Sequence, residues 1–548
     1  MVIRPRPLEL STAVARIGAL PKNPSLVALR PSFALCSARY RRRYSGGAAV
    51  LEHPADAPSS SAPPPSINGE SHEVPGLSNL KVLSADELGI RTSMISGPTH
   101  SVLKQLKKKG YDVYLVGGCV RDLIMKRTPK DFDIITTADL TQVKSAFKDC
   151  QIIGRRFPIC HVHINKTLIE VSSFNTNVEK SESKLRFLKF PNCDEQDIIR
   201  WKNCLCRDFT INGLMLNPFS NKVYDYLGGI DDIKKGKIRT VIPARSSFQE
   251  DCARILRAIR IAARLGFIFS RETACSVKDL ASSILRLDKG RIIMEMNYML
   301  AYGSAEPSLR LLWRFGLLEF LFPIQAAYFV SHGFRRKDKR TNMLLALFAT
   351  LDRLLAPDRP SHCSLWIAVF AFHDALANEA RDPMVVAAFT LALYNGGNMV
   401  EAFCIARRIS HPHDQTFPEL SGKPVDLDSD EDLEREVQDL AFSMESSLST
   451  MTDPYFVSHA MSMYPQAPSS NLVFISFPAY QEVCRIFDCT IHKRREKNFV
   501  PKSDEKINYW NLLNGTLPEV RYVLARVIFD TVFPPDMEIN DQDAVPED

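Results

Sequence analysis

Asp131 and Asp133 stand two residues apart in "DFDI" (131–134), shortly after "GGCVRD" (117–122). On a strand, alternate side chains share a face, so these two carboxylates would project together while Phe132 and Ile134 turn into the core. Like charges held this way raise each other's pKa unless a cation sits between them. Hard oxygen donors in such an array suit Mg²⁺, which takes one or two carboxylates and completes its shell with water and phosphate oxygens. Alone, an Asp-x-Asp is equally ordinary surface charge, so its setting decides. "LVGGCVRD" runs an apolar strand into Gly117 and Gly118 and then into a helix start. Glycines let the backbone approach a phosphate closely, and helix N-terminal amides favour anions. Arg121, on the first turn of that helix, is placed to reach a triphosphate.

The elements that position these residues are legible from pattern. "PTHSVLKQLKKKG" reads as a helix stopped by Gly110, and "YDVYLVGG" as a buried strand ending in the paired glycines. "FDIITT" is a second strand, "ADLTQVKSAFKD" a helix, and "HVHINKTLIEVSSF" one or two further strands. Order is expected to begin near Ser84, where "SADE" has the spacing of a helix capping box. Beyond Asp225 the apolar pattern becomes helical, as in "EDCARILRAIRIAARLGF" from Glu250, and no alternating strand signal competes. The fold class expected is α+β, a mixed-sheet head followed by an all-helical neck, body and tail. The boundaries expected are a head over 95–225, a neck over 226–330 and a body and tail over 331–530. An acidic exposed insertion is expected near 419–436, and an acidic disordered tail over 531–548.

Upstream, residues 1–44 hold nine basic residues against Glu9, while the 548-residue chain has a formal net charge of +6. The remainder is therefore slightly acidic, and RNA binding has to be argued from local patches. Arg-rich and nearly acid-free, the segment reads as an organellar transit peptide, for mitochondrion or chloroplast. The Pro- and Ser-rich stretch that follows, within 45–83, reads as a disordered linker. No run of about 18 apolar residues appears, so a soluble chain without a membrane span is expected. The thirteen cysteines include no CxxC pair, so neither a structural metal nor a disulfide framework is expected.

Taken together, "LVGGCVRDLIMKRTPKDFDIITT" resembles the signature of the DNA polymerase beta nucleotidyltransferase superfamily, and within it the class II RNA nucleotidyltransferases. That group comprises CCA-adding tRNA enzymes and bacterial-type poly(A) polymerases. The resemblance, covering about 110–325, implies that Asp131 and Asp133 are catalytic and hold two Mg²⁺ ions. Glu170 is either a third carboxylate of the set or a solvated strand residue. "CRDFTINGLMLNP" (206–218) resembles the motif whose arginine and aspartate contact the incoming nucleotide, implying that role for Arg207 and Asp208. Cys206 stands where the first arginine of the usual pair is found. "VYDYLGGIDDIKKGKIRTV" resembles the segment joining head to neck. Gly117, Gly118 and Arg121 complete the implied phosphate site.

On the helix from Glu250, Asp251 and Arg254 are three apart and share a face, opposite a stripe of Ile255, Leu256, Ile259, Ala262 and Ala263. They form either a surface ion pair or, as the resemblance implies, a protein template for the base. Adenine and cytosine each present an amino donor beside a ring-nitrogen acceptor, which matches a carboxylate and a guanidinium. Guanine and uracil invert the pattern, and each mismatched buried polar group costs about 1–3 kcal/mol. Arg257, one turn on, would contact phosphate; Arg260 and Arg264 would support the helix or RNA. "IIGRRFPICHV" (152–162), with Gly154, Arg155, Arg156 and Phe157, resembles a segment of the poly(A) polymerase branch. The expected activity is therefore addition of AMP from ATP to RNA 3′ ends. CCA addition to tRNA is the alternative, and a catalytically silent RNA-binding protein of the same fold the rival of another class. "FRRKDKR" (334–340) and "HKRREKNF" (492–499) are candidate RNA patches or solvated helix ends. Protein partners are not legible in the sequence.

Overall fold

The computed structural model describes residues 80–534, apart from 155–157, 166, 178–193, 358, 423–428, 463–474, 492–498 and 503–505. These form two compact units, residues 80–207 with 212–228, and residues 208–211 with 229–534. The expected transit segment lies outside the described residues, as do Arg155, Arg156, Phe157 and most of the expected linker and acidic tail; the linker's end at 81–83 is instead strand, and the tail's start, Thr531 and Val532, closes a buried helix, Leu517–Val532. Class α+β holds: the first unit carries a mixed sheet and the second is almost entirely helical.

The first unit's eight strands are β1 (Lys81–Ser84), β2 (Val113–Val116), β3 (Asp133–Thr136), β4 (Cys150–Ile153), β5 (Ile159–Ile164), β6 (Thr167–Ser173), β7 (Leu214–Asn217) and β8 (Lys222–Asp225). Their order is β1-β8-β7-β2-β3-β6-β5-β4. Every pairing is antiparallel except that of β3 with β6. β2, apolar throughout, is buried along its whole length beside β3, as a central strand must be. Helix α1 (Gly97–Lys108) is capped by the Ser96 hydroxyl, which accepts from Thr99 N–H at 3.3 Å, and buries Thr99, Val102, Leu103 and Leu106, a helical stripe. Gly110 follows at φ +89°, a left-handed turn that ends the helical run. Helices α2 (Gly118–Ile124), α3 (Leu140–Ala146) and α4 (Glu195–Leu205) complete the unit.

Two expectations are corrected here. Ser84 does not cap a helix; it ends β1, whose partner β8 lies some 140 positions along the chain, and pairing with that strand overrides the local capping signal. Phe132 is half-buried rather than in the core, because β3 begins one residue later, at Asp133.

The second unit opens with α5 (Gly229–Lys234), α6 (Ala244–Glu250), α7 (Ala253–Leu265), α8 (Arg271–Asp279), α9 (Lys289–Leu300) and α10 (Ala305–Arg314). Among the described residues it departs from the all-helical expectation in a parallel pair of two-residue strands, β9 (Lys237–Ile238) and β10 (Ile268–Phe269). Further along, Cys363–Asn378 is buried all round, its core residues Trp366, Phe370 and Phe372 being at most 1% exposed. The acidic stretch is not simply an exposed insertion. Its end forms the start of a helix, Asp430–Thr452, with Asp430, Glu431 and Asp432 in the first turn, where they complement the helix dipole, and Leu433 and Val437 buried. Glu419 is itself buried and accepts from the Tyr328 hydroxyl at 2.5 Å. No helix among the described residues is long and apolar enough to cross a membrane.

Candidate active site

Asp133 opens β3 between Val116 of β2 and Glu170 of β6, its register partners on either side. Where β2 passes into α2, Gly117 takes φ +80°, ψ −142°, a conformation that disfavours any other residue. A Cβ at Gly117 would lie 3.0 Å from Arg207 Nη1 and 3.6 Å from Asp133 Oδ2, so glycine bend, guanidinium and carboxylate converge. Arg207 Nε is buried without a hydrogen-bond partner, a donor that an anion at the bend would satisfy. Nearby, the buried Cys119 thiol donates to Val116 O at 3.2 Å. Burial first, and the Asp133 charge second, push that thiol up to about 12.

Asp131 lies just ahead of β3, outside the strand and half-buried. Glu170 shares a sheet face with Asp133 through the β3–β6 register, and His161 Nε2 on β5 lies 3.7 Å from Glu170 Oε1. Among the described residues no group of three or more His, Cys, Asp or Glu side chains is arranged to hold a metal. Asp133, a hard carboxylate beside a bend where a Cβ would crowd Arg207, suits Mg²⁺, which takes one or two carboxylates and completes its shell with water and phosphate oxygens; Asp131 stands two residues earlier, and Glu170 Oε1 lies 3.7 Å from His161 Nε2.

Arg121 is placed differently from the expectation. It is 7% exposed; its Nε and Nη2 donate to Asp122 Oδ1 at 2.9 and 2.7 Å, and Nη1 donates to Asn212 Oδ1 at 2.8 Å. It ties α2 to Asn212. A Cβ at Gly118 would come 3.3 Å from the same guanidinium, which would have to shift slightly to admit it. Cys206 closes α4 as its C-cap and is exposed, so the position of the absent arginine faces solvent.

In the second unit, Asp208 is buried; Oδ1 accepts from Phe209 N–H at 2.8 Å and Oδ2 meets Arg257 Nη2 at 3.1 Å. Asp208 and Arg257, read from separate motifs, are thus brought together. Asp251 is not on the helix with Arg254. It takes an extended conformation (φ −147°, ψ 98°) between α6 and α7, and its Oδ1 accepts from Ala253 N–H at 3.0 Å. The carboxylate, bonding a backbone N–H two residues on, breaks the helical run at that point. Arg254 Nη1 donates to Ser247 Oγ at 2.8 Å and lies 3.4 Å from Glu250 Oε2. The stripe of Ile255, Leu256, Ile259, Ala262 and Ala263 is buried as expected. Arg260 supports the fold, paired with buried Glu295 at 3.0 Å and over the Tyr298 ring at 5.0 Å.

The "FRRKDKR" stretch keeps its five cations exposed, though two of them have partners within the fold. Phe334 is buried, Arg336 stacks 3.8 Å over Trp313 and pairs with Glu319, and Arg340 pairs with Asp338. Most of "HKRREKNF" lies outside the described residues. Gly154 ends β4 at φ +87°. Sequence reasoning missed Ser247 and gave His161 no role; a Ser four residues before Asp251 carries no local signal of its partner on the next helix.

Comparison with known proteins follows this geometry. The Poly A polymerase head domain model matches residues 113–239, and the model described as "Probable RNA and SrmB- binding site of polymerase A" matches 266–329. Poly(A) polymerase I of Haemophilus influenzae is 32% identical over 302 residues, 53% of this chain and 65% of that protein. Poly(A) polymerase I of Salmonella typhimurium is 32% identical over 342 residues, 60% of this chain and 69% of that protein. The CCA-adding enzyme of Leuconostoc mesenteroides is 33% identical over 223 residues, 40% of this chain and 53% of that enzyme. Among solved structures, the Bacillus stearothermophilus CCA-adding enzyme in complex with CTP aligns with a TM-score of 0.41 at 20% identity, over 72% of this chain and 93% of that one. The chain belongs to the class II RNA nucleotidyltransferase family, that of poly(A) polymerase I and the CCA-adding enzymes. The family is metal-dependent. The chain spans just under two thirds of the Haemophilus protein's length.

Proposed function

We propose that this protein is a template-independent polynucleotide adenylyltransferase, adding AMP from ATP to RNA 3′ ends. The observation that carries the reading is the convergence of Gly117, Asp133 and Arg207, with a buried, unsatisfied Arg207 Nε, in a chain similar to poly(A) polymerase I over 60% of its length. Gly117 admits the triphosphate to the backbone, and Arg207 binds its charge. Two magnesium ions, when held by Asp131 and Asp133, supply Lewis-acid charge to the attacking and leaving oxygens. Asp208 holds Arg257 for phosphate contact, while Asp251 and Arg254 read the base, accepting from the amino group and donating to the ring nitrogen. Residues 1–44, basic and nearly acid-free, support import into a mitochondrion or chloroplast, which a full-length fluorescent fusion tests.

CCA addition is the second reading, because CCA-adding enzymes are relatives at similar identity. Purified protein given tRNA lacking its terminal CCA, with ATP and CTP, separates the two. A long A tract on varied RNAs supports polyadenylation; termination after three added nucleotides overturns it. No incorporation with any RNA, and nothing changed by Asp131→Ala, would leave a silent RNA-binding protein.

A further inference from the structure

Each base-reading side chain is half engaged by the protein. Asp251 gives Oδ1 to Ala253 N–H at 3.0 Å, which leaves Oδ2 for a ligand. Arg254, whose side chain is 15% exposed, gives Nη1 to α6, leaving Nε and Nη2. One residue bonds both the Asp251 backbone and the Arg254 side chain. Ser247, on α6 and 0% exposed, accepts the Arg254 Nη1 proton at its hydroxyl (2.8 Å), and its carbonyl lies 3.3 Å from the same nitrogen. That carbonyl also accepts from the Asp251 backbone N–H at 3.2 Å. Glu250 is the other group near Arg254, at 3.4 Å, but it is 61% exposed and the contact is correspondingly weak.

We infer that Ser247 is a positioning residue for base selection: it sets the spacing and orientation of the Asp251 carboxylate and the Arg254 guanidinium, so that one accepts and the other donates to the same nucleobase edge. The inference rests on the base-reading role proposed above. A carboxylate and a guanidinium discriminate A and C from G and U by pairing alone, and only while both are held. An arginine released from Ser247 can rotate and donate to a carbonyl, which is what guanine and uracil present. Ser247 touches neither the base nor the phosphates; it acts through Arg254. Buried and neutral, its hydroxyl is a hydrogen-bond acceptor for a charged group, among the stronger contacts such a side chain makes.

The test uses the full-length protein and equilibrium dialysis of ATP and of GTP, for wild type, Ser247→Ala, Ser247→Thr, Ser247→Cys and Arg254→Ala, with a melting curve for each. Ser247→Ala is expected to weaken ATP binding about 10-fold and to shrink the ATP-over-GTP preference, while the melting curve shows the protein still cooperatively folded. Ser247→Thr, which keeps the hydroxyl, restores the preference, and Ser247→Cys, close in size but a weaker acceptor, falls between. A Ser247→Ala protein with wild-type preference, while Arg254→Ala loses it, overturns the role of Ser247 and leaves the base-reading pair standing. Wild-type preference in Arg254→Ala as well removes the base-reading role itself, and the inference falls with it.

Discussion

Asp133 and Glu170 are register partners on the parallel strands β3 and β6, so their carboxylates leave the sheet from one face, and Glu170 is in turn 3.7 Å from the His161 ring. A carboxylate engaged by its own neighbour supports an active carboxylate instead of sharing its ligand. Glu170→Gln is therefore expected to cost about 10–100-fold in AMP incorporation, the range for groups that act through a metal ligand. A loss as deep as that of Asp133→Asn, measured in the same primer-extension assay, would place Glu170 in the ligand set itself.

Gly117→Ala tests the bend. The substitution places a Cβ 3.0 Å from Arg207 Nη1 at a backbone angle of φ +80°. Strain of that kind costs about 1–3 kcal/mol in stability by denaturant titration. Displacement of Arg207 is expected to cost about 100-fold in kcat/KM for ATP. Unchanged kinetics would show that the triphosphate does not use this bend.

Cys206→Arg restores the cation that the family motif carries. Because the position is an exposed C-cap, the new charge meets the α4 carboxyl end and is expected to stabilise by about 0.3–1 kcal/mol. Its effect on KM for ATP is expected to stay within about twofold, as for an ordinary surface substitution. A much lower KM would show that the missing arginine was ligand-facing.

How far the sequence carried the site is clear from particular residues. The "GGCVRD" and "DFDI" spacing located Gly117 and Asp133 because glycine bends and strand alternation are local properties. The internal bonds of Arg121 were not legible, because its partner Asn212 is 91 positions away and no local pattern shows which guanidinium bonds inside the fold. Asp251 was read as helical because no glycine or proline stands between Glu250 and Leu265. The break is made by aspartate's own side chain, and its preference for helix N-termini was the available signal. Strand order was out of reach for the same reason as Arg121: β1 pairs with β8 across most of the head. The helical second unit was legible in class, since amphipathic period is local, whereas partners such as Ser247 and Arg254, on consecutive helices, were not.

Acid sensitivity has a located source. His373, within the buried helix Cys363–Asn378, packs edge-on to Tyr328 at 4.3 Å. Burial, and secondarily His332, hold its pKa down to about 3 from an ordinary 6.5. The unfolded chain therefore binds a proton below pH 6.5 that the folded chain refuses until about 3. The stability from this group is fully present above 6.5 and is lost as pH falls through that window, at about 1.4 kcal/mol per pH unit. His373→Phe is expected to flatten the dependence of the urea midpoint between pH 7 and pH 5; an unaltered slope would assign the sensitivity elsewhere.

The central claim is that Asp131 and Asp133 serve nucleotidyl transfer to RNA beside the Gly117 bend. It is tested most directly by incorporation of labelled AMP at an RNA 3′ end by wild type, Asp131→Asn and Asp133→Asn at saturating Mg²⁺, with and without chelator. The account predicts extension by wild type that chelation stops, and a loss of roughly 10⁴-fold or more in each variant at an unchanged melting temperature. Extension at the wild-type rate by either variant would contradict it.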